Sequence, residues 1–227
     1  MPERTPPRDA AVLFDLDGTF ADTAPDMAAA LQTLLAIHGR PALPFDRVRP
    51  HASHGARGIL KVGFGLEPED PDYEPRRLEY LDIYAAALVV DTAPFPGIPE
   101  LVATLESRGI PWGIVTNKPT YLTEPLMERI GFLERAACLV CGDTAARPKP
   151  HPDPMFHACD RLRVDPARCW YLGDAERDIR AGLAAGMGTL AALFGYLGPD
   201  DDPAGWGAHG MIEHPLDVLD WLPERVG

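Results

Sequence analysis

Acidic side chains stand directly behind two short apolar runs of the sequence. Asp15 and Asp17 follow AAVLF (10–14), and Asp174 follows CWYLG (169–173). Carboxylates that crowd together repel one another and raise their own pKa values unless a cation offsets the repulsion. Because oxygen ligands suit a hard ion, the pattern predicts a Mg²⁺ site near Asp15 and Asp174, where the ion would also bridge an oxygen of a phosphoryl group.

Hydroxyl, amide and ammonium groups follow other apolar runs in the same way. The run PWGIV ends in Thr116, Asn117 and Lys118, and a proline-rich loop farther along carries Lys149. Only three of the 21 basic residues are lysines, which indicates positions that need a compact ammonium. Each of these polar residues, taken alone, also fits a turn, a helix cap or a solvated charge. Together they predict one polar site, in which Lys149 could neutralise moving phosphoryl charge.

Strands and helices alternate along most of the chain. The predicted strands are residues 10–14, 111–115, 137–140, 169–173 and 188–194, and the predicted helices between them are residues 100–108, 119–130, 154–162 and 176–186. This alternation predicts an α/β fold with a doubly wound parallel sheet, whose ligands bind beyond the carboxyl ends of the strands. The polar groups described above should therefore meet at one edge of one sheet.

A long helical segment is inserted after the first strand. A helix should begin near Thr23, whose side chain can cap it, and the stretch YEPRRLEYLDIYAAALVV predicts another with Leu78 and Tyr84 on its inner face. The turn-rich stretch DTAPFPGIP then marks a boundary. We therefore divide the chain into an α/β core, residues 1–22 and 91–227, and a helical insertion, residues 23–90.

Composition argues against several other classes of protein. The formal charge of −13, with no cluster of Lys and Arg, argues against a nucleic-acid partner. The four cysteines lie in or beside apolar runs, which favours buried free thiols over a metal site. The sequence shows no signal-peptide pattern, and the glycine-rich segment 181–198 is borderline in length for a membrane span. We expect a cytoplasmic protein with no membrane partner.

The ordered motifs FDLDGT, VTNK, RPKPHP and GDAERD resemble the four sequence motifs of the haloacid dehalogenase-like phosphatases. The resemblance covers the whole predicted core. It implies that Asp15 is the nucleophile that forms an aspartyl-phosphate, and that Asp17 is the general acid and then the general base. It also implies that Thr116 and Asn117 hold the phosphoryl oxygens and that Lys149 stabilises the intermediate.

The same resemblance implies a metal site and a cap. Mg²⁺ would be bound by Asp15, Asp174 and the main-chain carbonyl of Asp17. Separately, the position of Asp178 four residues after Asp174 predicts that it lies behind these ligands and orients Lys149; alternatively, Asp178 is only a first-turn helix charge. In this family a helical insertion after the first motif forms a mobile cap. Residues 23–90 match that cap in position and kind.

The substrate is indicated only by class. The stretches DTAPD, FPGIPELV and TNKP resemble the phosphoglycolate phosphatase branch, and the tail GYLGPDDDPAGWGAHGMIEHPLDVL resembles bacterial N-acetylmuramic acid 6-phosphate phosphatases of peptidoglycan recycling. Both imply a small phosphate ester with a carboxylate, for which Arg57 is the candidate ligand. Asp17 favours ester hydrolysis over dehalogenation, because it can protonate an alkoxide leaving group.

Other functions stay open from the sequence. A phosphomutase or a broad sugar phosphatase of the same superfamily would use the same motifs. A phospho-receiver signalling module also combines acidic residues, a threonine and a lysine with Mg²⁺, although the large helical insertion better suits a lid over a small substrate. For the assembly we expect a monomer or a homodimer.

Overall fold

A parallel sheet lies at the centre of the protein, of which the computed structural model describes residues 10–222. In chain order the strands are β1 (Ala11–Phe14), β2 (Ala21–Asp22), β3 (Ala93–Pro94), β4 (Trp112–Val115), β5 (Cys138–Val140), β6 (Cys169–Gly173), β7 (Gly188–Ala192) and β8 (Gly210–Ile212). Six of them form the sheet, in the spatial order β5, β4, β1, β6, β7, β8 with every pair parallel. The predicted fold class is confirmed.

Helices cover both faces of the sheet and fill the insertion. They are α1 (Ala24–Ile37), α2 (Phe45–Val48), α3 (Gly55–Phe64), α4 (Tyr73–Ala86), α5 (Ile98–Ser107), α6 (Thr120–Arg129), α7 (Asp153–Leu162) and α8 (Glu176–Ala184). Each strand and helix predicted for the core is present, with ends shifted by at most a few residues. Helices α1 to α4 all lie between β2 and β3, so the insertion is helical as predicted.

The alternation of side chains along β1 produces two cores. Val12 and Phe14 belong to a hydrophobic cluster that includes Leu101 of α5, whereas Leu13 belongs to a second cluster that includes Met155 of α7. Successive side chains of a strand point to opposite faces, so an uninterrupted apolar strand needs helices on both sides. This burial fixes the direction of β1 and therefore the place where the next residue, Asp15, emerges.

The insertion leaves and re-enters the core through neighbouring segments. Strands β2 and β3 pair antiparallel with each other. The carboxylate of Asp26, in the first turn of α1, accepts hydrogen bonds from the main-chain nitrogens of Val90, Asp91 and Thr92 at 2.9 to 3.2 Å. The hydroxyl of Thr92 donates a further bond to Asp26, at 2.6 Å. The start and the end of the insertion are thus tied together.

The buried face of α4 agrees with the prediction at Tyr84 but not at Leu78. Tyr84 is buried as predicted, together with Tyr80, whereas Leu78 is 52% exposed, so its placement on the inner face is wrong. The two tyrosine rings stack at 6.1 Å, and the hydroxyl of Tyr80 donates to the main-chain oxygen of Met27 on α1. The large amphipathic rings, which gain both packing and a polar contact, determine which face of α4 turns inward.

The cysteines and the glycine-rich segment fit a folded core. All four cysteines are free and buried, as predicted, and burial raises the pKa of Cys138 to about 12. Within residues 10–222, no helix has the length and apolar character that crossing a membrane requires. The segment 181–198 is divided between the end of α8, strand β7 and the loop that follows.

Candidate active site

The predicted catalytic groups emerge side by side at the carboxyl edge of the sheet. Asp15 follows β1, Thr116 follows β4 and Asp174 follows β6, and these strands are neighbours with β1 in the middle. The glycine of FDLDGT permits this convergence, because Gly18 has a φ of +86° and a side chain there would collide with the carboxylate of Asp174. Glycine at position 18 thus allows the loop after β1 to lie directly against the carboxylate of Asp174.

Lys149 lies at the centre of the site and is fully buried. Its Nζ is 2.8 Å from Oδ1 of Asp15 and 2.8 Å from Oδ1 of Asp178. It also donates to the hydroxyl of Tyr171 at 2.8 Å and to the main-chain oxygen of Val115 at 3.0 Å. The structure therefore brings Asp178 against Lys149, where it fixes the ammonium beside Asp15.

Asp15 is held as a carboxylate in a buried position. Burial by itself would raise the pKa of Asp15, but the charges of Lys149 and Arg177 outweigh it and the pKa lies below its usual value. Arg177 Nη2 is 3.7 Å from Asp15 Oδ2, and Leu16 donates its main-chain N–H to Asp15 Oδ1 at 2.8 Å. Lys149 and Leu16 both contact Oδ1, whereas within residues 10–222 no hydrogen bond to Oδ2 is formed.

Arg177 is a site residue that the sequence reasoning missed. It is on α8, between Asp174 and Asp178 in the motif GDAERD, and it donates to the main-chain oxygen of Ser53 at 2.6 Å. Ser53 belongs to the helical insertion, so this contact joins the insertion to the core. The sequence contained a signal for Arg177, because a basic residue stands between the two aspartates of the motif in the first turn of a predicted helix.

Asp174 is a buried carboxylate surrounded by other acidic groups. Burial, with Asp178 and Asp15 as neighbours, raises the pKa of Asp174 to about 7. It accepts hydrogen bonds from Ser53 Oγ at 2.5 Å, from the main-chain nitrogen of Tyr196 at 2.9 Å and from the hydroxyl of Thr19 at 3.3 Å. Each of these three donors is uncharged, and none offsets the repulsion from the neighbouring carboxylates.

Three carboxylates of the site fit a metal ion. Oxygen atoms of Asp15, Asp174 and Asp178 lie within 4.8 Å of one another. An oxygen-only donor set with excess negative charge suits a hard divalent cation. Among the described residues the side chain of Asp17 is not part of this cluster, and a ligand role for its main-chain carbonyl stays a prediction.

Asp17 is paired with Lys118, a member of the predicted polar site for which no role was predicted. Its Oδ1 accepts hydrogen bonds from Lys118 Nζ at 2.9 Å and from Thr23 Oγ1 at 2.6 Å. The prediction that Thr23 caps α1 with its side chain is therefore wrong, because Asp17 engages that hydroxyl instead. Lys118 is two positions after Thr116, in the loop that follows β4.

Thr116 and Asn117 are at the site, in different environments. The hydroxyl of Thr116 accepts a bond from the main-chain nitrogen of Lys118 at 3.2 Å. The amide of Asn117 pairs with the main chain of Lys149, donating to its oxygen at 2.9 Å and accepting from its nitrogen at 3.0 Å. Asn117 thus holds the loop that carries Lys149, and its predicted contact with phosphoryl oxygens stays a prediction.

A cavity of about 600 Å³ separates the sheet edge from α3 and α4. Asp15, Asp17 and Thr116 line it from the core, and Arg57 lines it from the insertion. The side chain of Arg57 is 61% exposed and contacts Glu67 Oε2 through Nη2 at 3.2 Å. The cavity therefore brings Asp15, Asp17 and Thr116 of the core together with Arg57 of the insertion. Lys149, Asp174 and Asp178 are not among the residues that line it.

The comparison with known protein families agrees with this arrangement. Residues 10–186 match the sequence profile of the haloacid dehalogenase-like hydrolases. The chain belongs to this family. A hydrolase of this family from Streptococcus pneumoniae shares the fold, with a TM-score of 0.81 at 21% identity over 93% of this chain and 97% of that one.

Relatives of this haloacid dehalogenase-like hydrolase carry phosphatase names. An N-acetylmuramic acid 6-phosphate phosphatase from Pseudomonas aeruginosa is 47% identical and covers 95% of this chain and 96% of its own length. A phosphoglycolate phosphatase from Xanthomonas campestris pv. campestris is 44% identical, covering 94% and 95% respectively. The predicted family and the predicted enzyme class, a phosphatase, are confirmed.

Proposed function

We propose that this haloacid dehalogenase-like hydrolase is a Mg²⁺-dependent phosphomonoesterase that acts through an aspartyl-phosphate on a small, carboxylate-bearing ester. The observation that carries the proposal is the state of Asp15, a buried carboxylate with a lowered pKa. Among residues 10–222 its Oδ2 accepts no hydrogen bond and lies 3.7 Å from Arg177 Nη2. An ionised carboxylate held in this way can act as a nucleophile. Because Leu16 and Lys149 contact Oδ1 of Asp15, Oδ2 is the oxygen that would attack the phosphorus.

In the first step, Asp15 Oδ2 forms a bond to phosphorus while the bond between phosphorus and the ester oxygen breaks. Asp17 gives a proton to that oxygen, so the leaving group departs as an alcohol. Lys149 and Arg177 lie beside Asp15 and oppose the negative charge of the phosphoryl oxygens. Thr116, on the same cavity wall, is available to hold one of these oxygens.

In the second step, water attacks phosphorus and Asp17 takes the proton that the water loses. The bond between Asp15 and phosphorus breaks, and inorganic phosphate leaves with Asp15 restored. Two displacements of this kind replace one difficult hydrolysis, and a positioned acid and base contributes about 10²- to 10⁴-fold to the rate.

Mg²⁺ would be held by Asp15, Asp174 and the main-chain carbonyl of Asp17, with Asp178 behind them. When bound, the ion would neutralise phosphoryl charge and relieve the repulsion among the carboxylates. The support for this assignment is the oxygen-only cluster of Asp15, Asp174 and Asp178 together with the raised pKa of Asp174.

The stability gained from Mg²⁺ should grow with pH. Without metal, the folded state keeps a proton on Asp174 up to about pH 7, whereas the unfolded chain releases it near 3.8. The folded state therefore binds more protons in that window, and rising pH destabilises the metal-free protein. Because Mg²⁺ binds the ionised carboxylate, we expect it to raise the melting temperature more at about pH 8 than at about pH 5.

Thermal unfolding with and without Mg²⁺ at the two pH values measures this effect. Asp174→Asn is the matched variant, and it should lose the part of the pH dependence in the metal-free state that Asp174 contributes. An equal gain from Mg²⁺ at both pH values would contradict the assigned metal site.

The size and charge of the cavity support a sugar-sized substrate with a carboxylate. A volume of about 600 Å³ is far more than a two-carbon ester such as 2-phosphoglycolate fills, and Arg57 supplies a cation from the insertion. We therefore place N-acetylmuramic acid 6-phosphate first and 2-phosphoglycolate second, each being the substrate in the name of a close relative. Measuring kcat/KM for both esters and for plain sugar phosphates tests this order. No phosphate release from any of them would refute the proposed function.

Arg57→Ala should weaken only the carboxylate-bearing substrates. The substrate carboxylate would replace Glu67 as the partner of the guanidinium, and a hydrogen-bonded ion pair of this kind contributes enough for a loss of about 10- to 100-fold in kcat/KM. For p-nitrophenyl phosphate, which lacks the carboxylate, we expect no change. Arg47→Ala, which removes an exposed arginine of α2, is the control. Equal losses on both substrates would eliminate Arg57 as the carboxylate ligand.

We also infer that residues 23–90 act as a cap that opens to admit substrate and closes to exclude water. The contacts of Ser53 with Asp174 and Arg177 support a closed position, because they join the insertion to the core at the catalytic groups. The buried free cysteines fit a reducing compartment such as the cytoplasm.

A further inference from the structure

Lys118 contacts both the proposed general acid and the helical insertion. Its Nζ donates to Asp17 Oδ1 at 2.9 Å and to the hydroxyl of Tyr84 at 2.9 Å, and it lies 4.7 Å from the centre of the Tyr84 ring. The Lys118 side chain is 6% exposed, and Tyr84 is 2% exposed. A core lysine is therefore buried between a catalytic carboxylate and a residue of α4.

We propose that Lys118 is a positioning residue that holds Asp17 in the orientation for proton transfer, and that Tyr84 keeps Lys118 in place while the insertion covers the site. The inference rests on the proposed function, since it concerns the acid and base role of Asp17. It adds a connection between the insertion and the chemistry that none of the four sequence motifs describes.

The hydrogen bonds of Asp17 all fall on one oxygen. Lys118 and Thr23 both donate to Oδ1, and within residues 10–222 no hydrogen bond to Oδ2 is formed. The terminal torsion of a carboxylate side chain is broad when nothing restrains it, whereas a charged hydrogen bond fixes it. Asp17 lines the cavity, and because Lys118 and Thr23 engage Oδ1, we assign Oδ2 as the oxygen that gives the leaving group its proton.

Tyr84 is itself fixed by packing inside the insertion. Its ring stacks on Tyr80, and the hydroxyl of Tyr80 donates to the main-chain oxygen of Met27 at 3.3 Å. The Tyr84 hydroxyl can accept from Lys118 only while α4 lies over the sheet edge. Displacement of α4 would therefore remove one of the two hydrogen-bond acceptors of the ammonium and loosen its hold on Asp17.

The test uses the dependence of the rate on the leaving group. General acid catalysis matters for an alkyl ester, whose alkoxide leaves poorly, and matters little for p-nitrophenyl phosphate, whose phenolate leaves unaided. The constant kcat/KM reports the steps up to departure of the leaving group, so it isolates the acid role. A merely structural role of Lys118 would affect both esters alike.

For Lys118→Met we expect kcat/KM to fall about 10²-fold with a sugar 6-phosphate and less than about tenfold with p-nitrophenyl phosphate. For Tyr84→Phe we expect a selective loss of about fivefold with the sugar phosphate, because one hydrogen bond to the ammonium is removed. Asp17→Asn measures how much kcat/KM falls when the general acid is removed completely. Arg129→Met, which removes an exposed cation of α6, is the control.

If Lys118→Met lowers kcat/KM equally for both esters, or does not lower it, the positioning role is overturned. If Tyr84→Phe lowers kcat/KM equally for both esters, the link to the insertion is overturned. If Lys118→Met does not fold, Lys118→Gln replaces it, and a selective or an unselective loss then decides the positioning role in the same way. Failure of the proposed function has a different signature, because the wild-type protein would then be inactive on both esters or Asp17→Asn would show no selectivity.

Discussion

Asp15→Asn is expected to lower kcat by at least about 10⁴-fold, because an amide cannot replace the carboxylate as the nucleophile. The loss should be equally complete with p-nitrophenyl phosphate, since a good leaving group does not remove the need for a nucleophile. The measurement is phosphate release at saturating substrate and Mg²⁺. Asp160→Asn changes an exposed carboxylate of α7 in the same way and should keep full activity.

The folding of the Asp15 variant needs its own measurement. Asparagine has nearly the shape of aspartate but leaves Lys149 and Arg177 with one carboxylate fewer, so a loss of stability accompanies the loss of activity. Circular dichroism and thermal unfolding establish that the protein is folded at the assay temperature. A folded Asp15→Asn protein that keeps more than about 1% of kcat would contradict the assignment of Asp15 as nucleophile.

Lys149→Met is expected to have the largest effect on stability. The ammonium is fully buried and lies 2.8 Å from both Asp15 and Asp178, so its removal leaves two buried carboxylates facing one another. Loss of one partner from a buried ion pair costs about 3–5 kcal/mol. Urea unfolding of the metal-free protein measures the change in the free energy of unfolding.

A double variant separates this charge effect from a loss of packing. Lys149→Met combined with Asp178→Asn removes a positive and a negative charge together, and we expect it to recover part of the lost stability. Arg161→Met, on the exposed side of α7, is the control for removal of a cation. A loss below about 1 kcal/mol for Lys149→Met, or no recovery in the double variant, would contradict the central role of this ammonium.

The core of the site could be predicted because its residues follow strands. Asp15, Thr116 and Asp174 each come directly after an apolar run, and in a parallel sheet the carboxyl ends of neighbouring strands share one edge. The alternation of strands and helices indicated the fold class for the same reason. Local patterns suffice where topology brings the ends of regular elements together.

Contacts between distant side chains could not be predicted from those patterns. Lys118 was visible at a strand end, but its bridge from Asp17 to Tyr84 depends on how α4 is placed over the sheet edge. Apolar spacing put Tyr84 correctly on the buried face of α4 but misplaced Leu78, which is exposed. Tyr196 is a second case. Its hydroxyl accepts the main-chain N–H groups of residues 23 and 24 from far along the chain, and no sequence spacing encodes such a contact.

The most direct test of the aspartyl-phosphate mechanism is to isolate the phosphorylated enzyme. Asp17→Asn incubated with p-nitrophenyl phosphate and Mg²⁺ should complete the first step, because the phenolate needs no acid, and should stall before the second, because no base activates water. After an acid quench, mass spectrometry of the digested protein locates the phosphoryl group. We predict near-stoichiometric phosphorylation of the peptide that contains Asp15, on that residue. Release of phosphate without any phosphorylated enzyme, or a phosphoryl group on another residue, would contradict this mechanism.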